Sequence, residues 1–391
     1  MLDLLPVEIL YRIFDYLDVE TLVFSVRKVC TKFYQMTKFY NRYDFDFSSI
    51  SKMAIRFILQ SIPFENVIRL TLSDEDRTRG AIQYFLSSCD LQRFSRLQYL
   101  KILQLESPLL QPFLDFIRQS QLISFHIEML NIRPHRSNDF SVIFQHQTIR
   151  NLQLNLSNSI VPSSNNVILT SLRIIDSISF DKLGEILKTF SQLRRLIVKE
   201  ISNSNSEMFD DRFDFISILT SFTVEGMRDD GENLAACFTL MPLLTHLTVI
   251  GSGSISNSMF DGNRWETLIQ EKLVHLKFFQ FFFSISIDGN HRLLTMKSLV
   301  EPFQSVFWIQ NFPTAVQCDE IFKTARILLY TLPFCLTNFA YRCDSKRCSI
   351  RNRIAEKMLN DMSNVTQLEL ELPDRRIDEP NDQVRFGFFL F

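Results

Sequence analysis

The chain has 391 residues, 46% of them hydrophobic and 22% charged. It is long enough for two or three ordinary domains or one elongated repeat array, and too apolar for global disorder. Nine glycines argue against a glycine-rich phosphate-binding fold, and a formal charge of −2 gives no basic excess for nucleic acid.

Residues 1–45 have a helical pattern. The start, MLDLLPVEIL, lacks the basic stretch and small-residue cleavage site of a secretory leader. In LPVEILYRIFDYLD, Pro6 suits a first helical turn and Glu8 favours the helix dipole. Leu5, Ile9, Ile13 and Leu17 recur at i+4, and Leu10 and Phe14 broaden that stripe. Asp18 is placed to N-cap a second helix, VETLVFSVRK, with Leu22 and Val26 on one face. A third, CTKFYQMTKFY, brings Cys30, Phe33 and Tyr34 together. Three helices this short cannot bury so much apolar surface among themselves.

From residue 46 an apolar-x-x-apolar-x-apolar motif recurs. It reads VIRLTL at 67–72, LQYLKI at 97–102, LISFHI at 122–127 and IRNLQL at 149–154. It continues as LTSLRI, LRRLIV, LTSFTV, LTHLTV and LVHLKF up to residue 278, then as LTNFAY and VTQLEL near the end. The step is close to the ~20–29 residues of leucine-rich repeats. Helical spacing lies between these strands, as in Leu110, Phe113, Leu114 and Ile117. Stacked units that bury their faces against neighbours fit this alternation, with parallel strands and helices on one side. Phe180, Leu183, Leu187, Leu196 and Val198 are expected to form one repeat's core. The motif lapses over an irregular insert at about 280–335. There, Phe278–Ile287 and VFWIQ (306–310) read as a strand pair, and EIFKTARILLYTL (320–332) as a helix. Residues 46–375 form the array on this reading. The polar PDRRIDEPNDQ follows, and the tail, 376–391, ends in the apolar VRFGFFLF, which adds a strand or is left exposed.

Catalytic and metal signatures are missing from the sequence. No G-x-S-x-G elbow, phosphate-binding glycine loop or H-E-x-x-H is present. Seven scattered cysteines point to reduced thiols in the cytoplasm or nucleus, and Cys335, Cys343 and Cys348 fit no common zinc spacing. The expectation is therefore a non-enzyme without metal or cofactor. The longest apolar run is too short and too interrupted to span a bilayer.

Taken together, Leu5, Pro6, Glu8, Ile9, Leu10, Ile13, Phe14, Tyr16, Leu17, Leu22, Val29, Cys30 and Phe33 resemble the F-box in order and spacing. The rest resembles a degenerate leucine-rich-repeat domain. Its usual asparagine, three places after the last strand leucine, is replaced by residues such as Glu75, Leu105 and Leu130. The fold class implied is α/β: a three-helix F-box over 1–45 followed by a curved leucine-rich-repeat-like solenoid. The resemblance implies a non-catalytic substrate-recognition subunit of an SCF-type cullin-RING ubiquitin ligase. Its F-box would dock on a Skp-family adaptor, and through it a cullin, by Leu5, Pro6, Ile9, Leu10, Leu17, Leu22, Cys30 and Phe33. The alternative is a repeat scaffold acting outside a ligase, with the helices capping the array. Partners are proteins on either reading, not nucleic acid or membrane.

Side chains alternate along a strand, so residues between the buried ones line a second surface. Lys101, His126, Arg173, Arg195, Lys199, His246 and Lys277 fall there and are the candidate contacts for the target protein. Arginines among them match acidic or phosphorylated groups.

Overall fold

The computed structural model describes residues 5–75, 78–130, 141–154, 168–202, 215–227, 232–253, 257–286, 295–312, 315–321, 326–332, 335, 338–342, 347–351, 367–371 and 386–389. The chain is mixed α/β and divides into two compact units, Met1–Asp176 with Thr189–Leu193, and Ser177–Lys188 with Arg194–Phe391.

The first unit opens with α1 (Val7–Phe14), a helical stretch of π type over Thr21–Ser25 and 3-10 type over Val26–Lys28, and α2 (Thr31–Phe39). Then come β1 (Tyr43–Asp46), α3 (Lys52–Ser61), β2 (Val67–Ser73), α4 (Ala81–Ser88) and β3 (Tyr99–Leu105). The series continues with α5 (Leu110–Gln119), β4 (Ser124–Met129), α6 (Ser141–Phe144), β5 (Asn151–Leu154) and β6 (Ser171–Ser179). Each strand pairs in parallel with the next. The register keeps the motif aligned: Leu70, Leu100, Phe125, Leu152 and Leu172 are consecutive partners. These residues are all buried. Phe85 of α4, also buried, lies 6.0 Å from Phe47 and 5.9 Å from Phe94, both in the connections between elements.

The second unit holds α7 (Phe180–Thr189), β7 (Arg195–Ser202), β8 (Ser221–Met227), α8 (Glu232–Cys237), β9 (His246–Gly253), α9 (Gly262–Lys272) and β10 (Phe278–Ser286). Strands β7 to β10 are again parallel in chain order, with Leu196, Phe222, Leu247 and Phe279 in register. Phe180, Leu183, Leu187, Leu196 and Val198 are all buried, as the sequence predicts.

The ladder is also tied at its strand starts. Before β8, β9 and β10, one carbonyl receives two N–H groups from the next repeat. Arg194 O accepts from Thr220 and Ser221, Thr220 O from Thr245 and His246, and Thr245 O from Lys277 and Phe278. Threonine hydroxyls add a further donor: Thr170 to Arg150 O (3.1 Å), Thr220 to Arg194 O (3.0 Å) and Thr245 to Thr220 O (2.9 Å). At the strand ends, where the repeat asparagine would stand, the Asp74 N–H donates to Leu103 O at 3.1 Å and the Leu130 N–H to Leu105 O at 3.0 Å.

Beyond β10 the pattern changes, and three sequence expectations are corrected. VFWIQ belongs to a helix, not a strand: α10 (Met296–Val300) and α11 (Val306–Asn311) precede β11 (Ala315–Ile321). Trp308 is the buried anchor of α11, and its indole N–H donates to Gly262 O at 3.3 Å. The described residues of 320–332 are not helical either: Glu320 and Ile321 end β11, and β12 (Arg326–Leu332) runs antiparallel to both β10 and β11. From Ile327 to Leu332 every residue of β12 is buried, so it lacks the alternation that marks a half-buried strand. Third, the motif in the last parallel strand is Leu276-x-x-Phe279-x-Phe281, three residues on from the expected LVHLKF. Phe279 and Phe281 are buried, whereas Phe278 is 58% exposed.

The remaining strands are β13 (Asn338–Arg342), β14 (Arg347–Arg351), β15 (Gln367–Glu371) and β16 (Phe386–Phe389). β14 pairs antiparallel with β11. In a separate sheet, β13 and β15 pair in parallel, with Phe339 opposite Leu368 and Tyr341 opposite Leu370. These are the two late copies of the motif. The apolar tail contributes β16, antiparallel to β15. The polar PDRRIDEPNDQ lies outside the described residues.

Candidate functional site

The first candidate surface is built on α1. Pro6 precedes it, and its carbonyl accepts from the N–H groups of Ile9 and Leu10, both at 3.2 Å. The helix is anchored at its end by Asp15. That carboxylate accepts from the Tyr40 hydroxyl at 2.6 Å and pairs with Arg42 at 3.0 Å. Burial, and then the Asp15 carboxylate, hold the Tyr40 phenol well above its usual range. Asp18 caps the next helical stretch: its two oxygens accept from the Thr21 N–H at 2.6 Å and hydroxyl at 3.0 Å. Arg27 then ties that stretch to α2 and α3, donating to Thr37 Oγ1 and Ser61 O, both at 3.0 Å.

This packing splits the broad apolar stripe of α1 in two. Leu10 and Phe14 point inward and are buried, at 1% and 3% exposure. Val7, Ile9, Ile13 and Tyr16 point outward, with Ile9 at 42% and Tyr16 at 90%. Among the residues expected to meet an adaptor, Pro6 and Ile9 are exposed, and Leu5, Leu17 and Cys30 are half-buried. Leu10, Leu22 and Phe33 are buried, so here they hold the small helices together. Val7, Ile13, Tyr16, Val29, Tyr34 and Phe39 are also exposed and lay outside the expected contacts, although Ile13, Tyr16 and Val29 belong to the motif. Ile13 sat in the i+4 stripe with Ile9, which was the available signal.

The second candidate surface is the face of the strands away from the buried leucines. In the first unit, Lys101, His126, Gln153 and Arg173 are successive partners in one row. In the second unit, Arg195, Ser221, His246 and Phe278 form another row. It ends in a stack of His246 on Phe278, ring centres 4.5 Å apart. Lys199 shares the Arg195 side of β7, four residues on, and is exposed. Lys277 does not lie in a strand: it precedes β10, its N–H donates to Thr245 O, and Gln280 takes the row position opposite Thr248. The cause is the three-residue offset of the motif.

His126 has the most perturbed environment on this surface. It is half-buried, and its Nε2 has no hydrogen-bond partner. Burial, then the charges of Lys101 and Arg173, push the imidazole down to about 4.

Elsewhere the polar groups serve the fold. An open hollow beside the end of α4 includes Ser88, Cys89, Asp90, Gln92 and Asp115 in its wall. The Ser88 hydroxyl donates back to Tyr84 O, and Asp90 caps the Gln92 N–H. Burial pushes the thiols of Cys89 and Cys335 up to about 12. Among the described residues, no group of three or more His, Cys, Asp or Glu side chains gathers to hold a metal ion. Cys343 lies outside them. No described helix is long and apolar enough to cross a membrane.

Residues 2–45 match the F-box-like family. No curated protein matches the chain.

Proposed function

We propose that this chain is a substrate-recognition subunit of an SCF-type ubiquitin ligase. The F-box-like segment docks on a Skp-family adaptor and thereby on a cullin, and the strand ladders hold the protein to be ubiquitinated. The observation carrying this reading is the F-box-like match over 2–45, within which α1 turns Ile9 and Ile13 outward. An amphipathic helix laid into a partner's groove is a recurrent mode of recognition, and this face has the required i, i+4 spacing. The chain itself performs no catalysis on this reading and works in the cytoplasm or nucleus. We read the ladders as stretches of one curved leucine-rich-repeat-like solenoid, on the strength of the aligned motif and the threonine-capped strand starts.

A second reading, a scaffold outside any ligase, draws on the ties between the helices and α3. Arg27 reaches Ser61, and Phe24 stacks on Phe57 at 5.1 Å. Those contacts suit a cap on the array. Docking and capping use different faces, so they separate experimentally. Ile9→Asp places a carboxylate on the outward face, where an apolar groove would have to bury it at a cost of several kcal/mol. The full-length variant is expected to stay folded by circular dichroism and to lose adaptor and cullin in affinity purification. Recovery of the adaptor at the unsubstituted level would defeat the ligase reading and leave the cap.

A further inference from the structure

Large exposed apolar side chains are unevenly placed along the ladders. In the second unit, Ile216, Leu243 and Val274 sit in the turns that lead into β8, β9 and β10, and Ile216 and Val274 are 71% and 67% exposed. They precede Thr220, Thr245 and Lys277 by four, two and three residues. Those three residues are tied across neighbouring strands: the Thr245 N–H donates to Thr220 O and the Lys277 N–H to Thr245 O, both at 2.9 Å. The turns therefore lie side by side on one rim. Exposed Phe278, stacked on His246, extends the strip onto the strand face. In the first unit the turns into β3, β4 and β5 expose polar residues at these places, Arg96, Gln121 and Gln147. The strip is thus not a requirement of the repeat, whose core positions are buried alike in both units. Cations flank it: Arg194 and Arg195 at the start of β7, and Lys272 and Lys277 ahead of β10, all exposed. Among the described residues none of these four has an ion pair. Glu271, next to Lys272 at the end of α9, is the acid that adjoins the strip. Contiguous exposed apolar surface rimmed by polar groups marks an interaction site.

We propose that this rim is a docking site for an amphipathic helix of the target protein, with apolar side chains along one face and acidic ones beside them. The inference rests on the reading that the ladders receive a protein, and it names the kind of segment held and its place. Neighbouring strands are about 4.8 Å apart, so three successive strand starts span about 10 Å. Residues i and i+7 of a helix are about 10.5 Å apart along its axis, with i+3 or i+4 between them. A helix laid across the strand starts can thus set one apolar residue against each turn. Acidic residues on its flanks meet Arg194, Arg195 and Lys277 without displacing an existing ion pair. Carboxylates suffice for this, so the segment needs no modification. A second copy of the same rim would set cation against cation. A bilayer surface is flat, whereas the strip bends from the turns onto the strand face at Phe278.

The test uses the full chain and a displayed library of random peptides of about 16 residues, long enough for four helical turns. Peptides that bind the Ile216→Ser, Val274→Ser double variant are removed first, and the remainder are selected on the unsubstituted chain. Both positions are exposed, so the variant is expected to keep its circular dichroism spectrum. Retained peptides are expected to carry apolar residues at i, i+3 or i+4, and i+7, with a net negative charge. Reversing two cations, with Arg195→Glu and Lys277→Glu together, should weaken these peptides at least about tenfold, and salt at about 0.5 M should weaken them as well. An empty selection would overturn the proposal. So would retained peptides that are neutral or basic, or affinity unchanged by the charge reversals. Binding to phosphatidylserine vesicles, or dimerisation of the chain, that is lost in the double serine variant would assign the strip to a membrane or to a second copy and overturn it equally. The adaptor does not enter the selection. A failed selection with adaptor capture intact therefore counts against this inference alone, and failed adaptor capture with the selection intact counts against the ligase reading alone.

Discussion

The second unit contains two sheets' worth of logic in one continuous ladder. Strands β7 to β10 are parallel, ordered as in the chain, and built from one repeated motif. Past β10 the same ladder continues through β12, β11 and β14, all antiparallel and out of chain order. In the parallel part β7 to β9 are half-buried, with buried apolar residues alternating with more exposed ones, and β10 becomes buried on both faces from Phe281 to Ser284. In the antiparallel part β11 and β12 are buried on both faces over most of their length. The polar groups there are accordingly paired in the interior: buried Asp319 accepts from Gln317 Nε2 at 2.8 Å and from the Tyr330 hydroxyl at 2.7 Å. One part is stabilised by repetition of a local solution, the other by contacts specific to single residues.

The largest expected effect tests the repeated part. Phe222 is fully buried at the motif's central position in β8. Phe222→Ala removes a whole ring and leaves a cavity, which costs about 3–5 kcal/mol. Urea unfolding followed by circular dichroism should show a midpoint shifted down accordingly. A loss below about 1 kcal/mol would mean that the motif positions do not carry the ladder's stability.

A threonine in the antiparallel part sharpens the contrast. Thr331 is buried, and its hydroxyl serves Phe281 of β10 twice, accepting from the N–H at 3.1 Å and donating to the carbonyl at 3.4 Å. Here a side chain takes the place of a backbone rung. Thr331→Val keeps the shape but removes the acceptor of a buried N–H, so the expected loss is about 1–3 kcal/mol. Hydrogen exchange at the Phe281 amide should rise by a matching factor. An unchanged exchange rate would show that the N–H has another acceptor.

The same contrast explains what was legible in the sequence. The motif Leu-x-x-Leu-x-Leu put nearly every parallel strand in register, because one face of each strand is solvent-facing and the period of two survives. β10 slipped by three residues because FFQFFF fills two registers equally well, and only burial distinguishes Phe278 from Phe279 and Phe281. RILLYTL looked helical because a strand buried on both faces has no alternation to read. VFWIQ looked like a strand by its β-branched and aromatic content, yet it forms α11 with Trp308 alone buried, so no alternation is present. In the F-box-like segment the motif named the right residues without saying which way each faces. Leu10 and Ile9 are neighbours in the pattern, and only the packing of α1 on Tyr40 and its surroundings turns one in and the other out.

The smallest expected effect returns to the parallel part, where a threonine hydroxyl is redundant. Thr245 Oγ1 donates to Thr220 O at 2.9 Å, but that carbonyl also accepts from the N–H groups of Thr245 at 2.9 Å and His246 at 3.0 Å. Thr245→Val therefore leaves no carbonyl stranded and keeps a β-branched side chain in place. The expected loss is about 0.5–1 kcal/mol, the net value of one neutral hydrogen bond. Thr220→Val should cost no more, since its hydroxyl makes the equivalent bond to Arg194 O at 3.0 Å, whereas that of Thr245 also meets His246 Nδ1 at 2.8 Å. Measured against Thr331→Val, each single loss must come out smaller, because a shared carbonyl tolerates a missing donor and a lone buried N–H does not tolerate a missing acceptor. If Thr245→Val costs as much as Thr331→Val, the hydroxyls are not redundant and the division between repeated and single-residue stabilisation fails.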